Sequence, residues 1–512
     1  ALDIFNKAQA AVSRAEQEAT SAWLSWARDS FKSGASQAHR FSKMRAVQEI
    51  LDASTHEHPF QHADNTLNQW VDIWTKHGSP VLPLPPGAQA WPALPDITAD
   101  QIEAAVVSYP IRTAAGPMGI HPRALLHLPQ LAFAAIAKLF NLCEQYLAWP
   151  AERVVNEMVR LAKPDGGHRL IALINCFGRV WGKVRKPITF QWQADNNCNE
   201  VWGTRRRHSS TDSAFAHNLA AEIAELTGQI SMSVLLDMMK CFEMIRTECL
   251  LQEAEILNFP VRLVWMLVEL YRQPRMLRCF GSLSRQFCSQ QGILAGCNHA
   301  TGMLFLLTFR ALKRVSAISP CISPRALVDD VSIQLITDSH RDIPLLERAV
   351  TTFTADMYKV GLWTQVKKSG LVAGLTLGRR FASRVAKKLS MPVKLWMRNL
   401  GHEMASGRVK RTQQLKRNKA LRERKRKFIA LKYAVGGRCT RLWRTGALPA
   451  VGHGGAVSGI DDSSLTFYRQ FAATLAGAKN KGGKTAYLVM QSDPLYDPIY
   501  DCTLSVVIKY CT

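Results

Sequence analysis

Two adjacent carboxylates, Asp329 and Asp330, sit between two short apolar runs, Pro324-Arg325-Ala326-Leu327-Val328 and Val331-Ser332-Ile333-Gln334-Leu335. Such flanks predict strand, tight turn, strand, with both acids at the turn. Carboxylates held side by side repel, and a divalent cation relieves this; Mg²⁺ prefers carboxylate and water oxygens. Asp is also a common turn former, so the pair alone fits a solvated hairpin equally well. A second acid supplies context. Ser231-Met232-Ser233-Val234-Leu235-Leu236-Asp237 is an apolar strand candidate ending in Asp, and Met238 to Glu243 then reads as a turn into a helix. A carboxylate at a strand end plus a pair on a hairpin is what a two-metal phosphoryl-transfer site needs. There one ion lowers the pKa of an attacking 3′-hydroxyl and the other holds the triphosphate. The structural alternative for Asp237 is an N-cap for the helix that follows.

Asp237-Met-Met-Lys240-Cys-Phe242-Glu243 resembles the first palm motif of reverse transcriptases, and Leu327-Val328-Asp329-Asp330 resembles their later aromatic-x-Asp-Asp motif. The variant is most similar to non-LTR (LINE-type, jockey-like) retrotransposon polymerases, over roughly residues 105–405. The resemblance implies an α+β right-hand polymerase, with fingers, a palm built on a ferredoxin-like antiparallel sheet, and a helical thumb. It implies an RNA-directed DNA polymerase that takes an RNA template, a DNA primer and dNTPs. It implies two Mg²⁺ ions, with Mn²⁺ as the alternative, held by Asp237 and Asp329 with Asp330 beside them.

Composition agrees with a polyanionic partner. The 512 residues carry 65 Lys+Arg against 40 Asp+Glu, a formal charge of +25, and neutralising phosphates releases counterions. The 12 cysteines are scattered, without C-x-x-C or Cys/His knuckle spacing, so neither a zinc site nor a secreted disulfide framework is indicated. They read as reduced thiols of an intracellular protein, with nucleus and cytoplasm the expected locations. No apolar run reaches the length of a membrane span, and the start lacks a signal-peptide pattern. The chain begins at Ala1, as expected of a piece of a longer product.

In chain order, residues 1–95 are expected to form a helical N-terminal extension, closed by the Pro-rich linker around Pro80–Gly87, with no chemistry of its own. Residues 96–230 are expected to form the fingers and the start of the palm, and Thr98 begins a helix there as its cap. Thr113 to Pro122 resembles the family's K-x-G-P-D-G-I box, with Met118 where that box has Asp. Val159 to Ile171 predicts a hairpin with a cation on each arm. It resembles the K-P-x-G-x-x-R-P-I box, which assigns Lys163 and Arg169 to the incoming triphosphate; solvated hairpin charges are the alternative. Arg205, Arg206 and Arg207 precede a helix expected over 212–226 and resemble a template-contacting box, against a plain solvated charge run.

Residues 231–405 are expected to be the palm. The resemblance places Phe242 under the sugar, where an aromatic excludes a 2′-hydroxyl; a buried helical aromatic is compatible with that. Gln290 to Thr301 stands in the place of the G-x-P-Q-G-S box, where Gly292 and Gly296 match and let backbone approach a nucleotide. Leu294 and Ala295 replace the usual Pro and Gln, the largest departure in the chain. His299 reads as a capping or core histidine. Val360 to Ser369 resembles G-L-x-x-N-x-x-K-T, with Gln365 for Asn, and puts Lys368 where a lysine protonates the pyrophosphate. Residues 406–435, including Arg424, Lys425, Arg426 and Lys427, predict a basic thumb helix on the template–primer backbone, or a nuclear-targeting signal. Residues 436–512 carry no ordered set of acids that would indicate an RNase H, and residues 1–95 are too short for a complete endonuclease. The rival readings are a non-catalytic, nucleic-acid-binding relic or domesticated protein and, within the enzymes, an RNA-templated RNA polymerase, against which Phe242 speaks.

Overall fold

Apolar runs rich in β-branched residues become strands, and the longer runs of helical period become helices. The computed structural model describes residues 2–43, 58–79, 82–150, 155–163, 168–196, 209–374, 377–405, 412–476, 497–504 and 507. Its strands in chain order are Asn156–Ala162 (β1), His168–Leu173 (β2), Ile230–Asp237 (β3), Arg275–Cys279 (β4), Ser282–Leu283 (β5), Ile322–Leu327 (β6), Asp330–Thr337 (β7), Gly370–Ala373 (β8), Trp396–Asn399 (β9) and His402–Ala405 (β10).

The chain separates into two compact units that do not follow it in order. One comprises residues 47–213 and 220–397, the other residues 1–46, 214–219 and 398–512. The first unit holds two four-stranded sheets. One is mixed, in the order β2-β1-β4-β5, with β1 antiparallel to β2 and parallel to β4. The other is antiparallel throughout, in the order β6-β7-β3-β8. Between β3 and β6 run the helices Cys241–Met244, Thr247–Ile256, Val261–Arg272 and Ala300–Ser316; between β7 and β8 runs Ile343–Lys359.

β3 is central in its sheet, and every residue from Ile230 to Leu236 is buried. Its apolar residues form one continuous core with Ile333 and Leu335 of β7, Leu304 and Leu307 of helix Ala300–Ser316, and Phe353 of helix Ile343–Lys359. Farther along the same unit, Glu144 and Arg185 form a buried ion pair. Arg185 Nε and Trp181 Nε1 each donate to Glu144 Oε1 at 2.7 Å, and Arg185 Nη2 donates to Oε2. All donors point at one carboxylate, so the charge is fully paired.

The second unit has its own core. Ala27, Phe31 and Ala38 of the N-terminal helices pack with Leu421, Phe428 and Leu431 of helix Thr412–Val435 and with Tyr468 and Phe471 of helix Asp462–Ala476. Asn418 ties two of these helices together: its Nδ2 donates to Ser464 Oγ at 2.8 Å and its Oδ1 accepts from Tyr468 OH at 2.5 Å. The residues before the Pro-rich segment are thus shared between the units: helix Leu2–Lys32 belongs to the second, and helix Pro59–Trp74, with Trp74 fully buried, to the first. No described helix is long and apolar enough to cross a membrane. The ten cysteines among the described residues are free thiols.

Candidate active site

The antiparallel register between β3 and β7 sets the acids. It ends by pairing Asp237 with Asp330, after Leu236 with Val331. β6 and β7 pair as far as Leu327 with Asp330, leaving Val328 and Asp329 as a two-residue turn. Val328 has φ 58°, the left-handed region that two-residue hairpins require and that a β-branched residue adopts only under strain. Residues directly opposite in a sheet share a face, and like charges so placed are destabilising. The fold therefore gathers Asp237, Asp329 and Asp330 at one end of one sheet at an electrostatic cost.

The end of β3 is clamped from the other side. Asp237 N donates to Ser369 Oγ at 3.0 Å, Gln365 N donates to Asp237 O at 2.7 Å, and Met239 N donates to Trp363 O at 2.8 Å. The clamping loop carries Lys368, whose side chain is exposed. Lys394 Nζ braces that loop by donating to Lys368 O at 3.3 Å.

Electrostatics identify the neighbours of Asp237. Burial pushes its carboxyl up from the ordinary value. Lys368 pulls it back, Asp329 pushes it up, and Lys163 and Lys394 again oppose. Lys163 of the first hairpin and Lys368 of the clamping loop thus both act on the carboxylate of β3. Lys240, just past Asp237, is a further cation here. It has φ 43°, its Nζ lies 3.9 Å from the Trp70 ring centroid, and its pKa is lowered by burial and, more weakly, by Lys163.

The altered loop keeps the backbone geometry its glycines imply. Gly292 has φ 86°, and a Cβ there would lie 2.7 Å from Glu243 O; Gly296 has φ 113°, and a Cβ there would lie 2.6 Å from Ala172 O on β2. Ile293 N donates to Phe242 O at 2.8 Å, and Ala172 N to Ala295 O at 2.6 Å. The loop therefore joins the Phe242 turn to the hairpin that carries Lys163 and Arg169. Leu294 is fully buried and is a core residue. Arg169 pairs with Leu161 across the hairpin and is exposed on the same face; the hairpin's tip lies outside the described residues. His299 is a satisfied core histidine: Nε2 contacts Gly182 O at 2.7 Å, Nδ1 contacts Thr189 Oγ1 at 2.8 Å, and burial lowers its pKa to about 4.

Arg205, Arg206 and Arg207 lie outside the described residues. Arg424, Lys425, Arg426 and Lys427 belong to the second unit. There Arg424 Nε donates to Ser42 O at 2.8 Å and Lys427 Nζ to Lys43 O at 2.9 Å, while Lys425 and Arg426 are exposed. Sequence reasoning missed Lys240, Ser369 and Lys394. Lys240 was legible as the cation inside the Asp237 motif; Ser369 and Lys394 act through contacts made only by folding.

Among the described residues no three His, Cys, Asp or Glu side chains form a ready-built metal cage. The hard oxygens of Asp237 and Asp329 still suit Mg²⁺, which is commonly held by one or two carboxylates together with water and substrate phosphates. The mutual repulsion seen at Asp237 is the charge such an ion would relieve.

No family model matches the sequence, and no curated protein matches it. Among solved structures, the telomerase of Candida albicans in complex with a TWJ fragment of telomeric RNA is similar over 70% of this chain and 63% of its own, at 10% identity and TM-score 0.36. An apo telomerase of Candida tropicalis, truncated from the C-terminal domain, is similar over 49% of this chain and 55% of its own, at 13% identity and TM-score 0.34. The chain thus spans less than two thirds of either neighbour, and likeness this slight carries over no residue's role.

Proposed function

We propose that this chain is an RNA-directed DNA polymerase of the non-LTR retrotransposon type, adding dNTPs to a primer 3′-hydroxyl with release of pyrophosphate. The observation that carries the reading is the register of Asp237 against Asp330, with Asp329 in the intervening turn and Lys163 and Lys368 acting on the same carboxylate. The strand order β6-β7-β3-β8, with helices between β3 and β6 and between β7 and β8, supports a ferredoxin-like palm.

In this reading Asp237 and Asp329, with Asp330 beside them, form an anionic floor that would hold Mg²⁺. Bound there, Mg²⁺ supplies charge neutralisation and a lowered pKa for the attacking hydroxyl. Lys163 and Arg169 hold the triphosphate from the hairpin side by charge-assisted contacts. Lys368 is exposed beside Asp237 and delivers a proton or a fixed positive charge to the departing pyrophosphate. Gly292 and Gly296 let their loop pack directly on Glu243 and Ala172, which keeps the Phe242 turn and the Lys163 hairpin together at the nucleotide. Phe242 forms the floor under the sugar and excludes a 2′-hydroxyl. Arg205 to Arg207, Lys425 and Arg426 hold template–primer backbone; Arg424 and Lys427 contribute mainly as braces of helix Thr412–Val435. The protein would act in the nucleus and cytoplasm.

Phe242 gives the test of substrate class. Phe242→Ala is expected to raise NTP use relative to dNTP by about tenfold or more, as expected when a binding discrimination of 1–3 kcal/mol is lost. The measurement is the kcat/KM ratio for dTTP and UTP on a poly(rA) template. An unchanged ratio in an active variant contradicts the sugar-gate assignment.

A further inference from the structure

The segment upstream of the Pro-rich linker packs against the turn that carries Phe242. Trp74, at the end of helix Pro59–Trp74, donates from Nε1 to Glu243 Oε2 at 2.5 Å. Arg275 Nη1 lies 3.5 Å from the same oxygen, and its guanidinium stacks 4.8 Å from the Trp74 ring centroid. Trp74 and Arg275 are 0% exposed and Glu243 is 6% exposed, so this is a buried ionic network, 169 residues apart in sequence at its short contact.

The network holds two loops at once. Arg275 Nη2 donates to Tyr271 O at 3.2 Å and Gly292 O at 3.3 Å. Gln290 N donates to Trp74 O at 3.0 Å, Gln291 Nε2 to Ile73 O at 2.6 Å, and His77 N to Gln291 Oε1 at 3.0 Å. On its other side the 290–293 loop donates from Gly292 N to Ile245 O at 2.7 Å and from Ile293 N to Phe242 O. Residues 73–77, 242–245 and 290–293 are therefore stitched as one block. The space between them is filled: a Cβ on Gly78 would fall 2.1 Å from Gln290 O.

We infer that Trp74 is a positioning residue for nucleotide selection, acting through Glu243 to fix the turn that carries Phe242. The inference rests on the proposed polymerase reading for the role of Phe242, and on the contacts above for the coupling. The physical reason is the shortage of donors. Glu243 has one short donor, the Trp74 indole, and one long one, Arg275. Burial already pushes its carboxyl up, and Arg275, Trp74 and Lys240 together oppose this. Removing the indole N–H leaves a buried carboxylate under-satisfied, and the group relaxes by moving, by taking up a proton or by admitting water. Movement or hydration of the carboxylate shifts the backbone between Lys240 and Ile245, whose carbonyls receive the loop's amides.

The test uses the full chain and the variant Trp74→Phe, which keeps an aromatic ring in the core and deletes only the donor side; Trp74→Ala is avoided because the cavity alone could unfold the unit. Two readouts are taken. Amide exchange at Gly292 and Ile293 is expected to quicken by about tenfold or more, the loss of one hydrogen bond to a charged group, while exchange within β3 stays as in wild type. The dNTP/NTP kcat/KM ratio is expected to fall by about tenfold, through a fall in NTP KM as the gate loosens. Unchanged exchange at the two amides overturns the coupling. Quickened exchange with an unchanged ratio overturns the role in selection. If wild type incorporates nothing, the polymerase reading fails, and the exchange result still decides whether Trp74 holds the block.

Discussion

At the scale of single residues, Asp237 illustrates how a site is maintained against folding stability. Burial and Asp329 raise its pKa, so the folded state binds its proton more tightly than the unfolded chain does. By linkage, the protonated form contributes stability below the unfolded value near 3.8, and that contribution is lost as pH rises through the higher folded value. At neutral pH the ionised carboxylate is a burden. Asp237→Asn is therefore expected to raise Tm by about 1 °C at pH 7, the scale of somewhat under about 1 kcal/mol on a unit of this size, while removing activity. Millimolar Mg²⁺ is expected to raise the Tm of wild type and to leave that of Asp237→Asn unmoved. Differential scanning calorimetry with and without Mg²⁺ checks both; an Asn variant less stable than wild type contradicts the account of Asp237. Val328, at φ 58° between the two strands, is a second residue whose local conformation is disfavoured and is held by its neighbours.

At the scale of elements, much was legible and the reasons are local. Thr98 caps its helix as expected, and Gln101 completes a capping box with it, Gln101 N donating to Thr98 Oγ1 at 3.3 Å. The helix expected over 212–226 is Ser210–Leu226, opened by a capping box at Ser209. Strand–turn–strand around Asp329 follows from two apolar runs separated by acids. What was not legible is pairing at a distance. Nothing in the spacing of Trp70 and Trp74 names Lys240 or Glu243 as their partners. The Glu144–Arg185 pair was equally invisible, since each lies within an ordinary helical pattern. It joins helix Gln130–Tyr146 to helix Cys176–Asp195. Glu144→Ala strands the Arg185 cation and the Trp181 N–H together, and is expected to cost about 3–5 kcal/mol. Urea unfolding measures this, and a loss under about 1 kcal/mol would mean that the pair is hydrated or replaceable.

At the scale of the whole molecule, two cores fold from interleaved segments, which no reading of composition along the chain could separate. Helix Leu2–Lys32 and helix Thr412–Val435 share one core although they lie at opposite ends of the sequence. The net charge of +25 was legible at once, but its division of labour was not. Within helix Thr412–Val435, Arg424 and Lys427 are engaged by carbonyls of residues 42 and 43, whereas Lys425 and Arg426 are exposed. The double variant Lys425→Ala/Arg426→Ala is expected to flatten the log K against log[salt] slope for template–primer by roughly 1–2, with little effect on Tm. Arg424→Ala is expected instead to lower stability by about 1 kcal/mol, the value of its hydrogen bonds. Fluorescence anisotropy across a salt series separates the two; equal slopes for the double variant and wild type contradict the assignment of Lys425 and Arg426.

If Asp237, Asp329 and Asp330 form the acid cluster of a templated DNA polymerase, primer extension depends on them. A DNA primer annealed to an RNA template is incubated with Mg²⁺, dNTPs and either wild type or Asp329→Ala, each shown by anisotropy to bind the duplex. Extension by wild type is expected, with a loss of several orders of magnitude in the variant, since charge positioning supplies much of the rate in phosphoryl transfer. Folded, duplex-bound wild type that extends nothing would contradict the polymerase reading and leave a nucleic-acid-binding protein with a polymerase-like acid cluster.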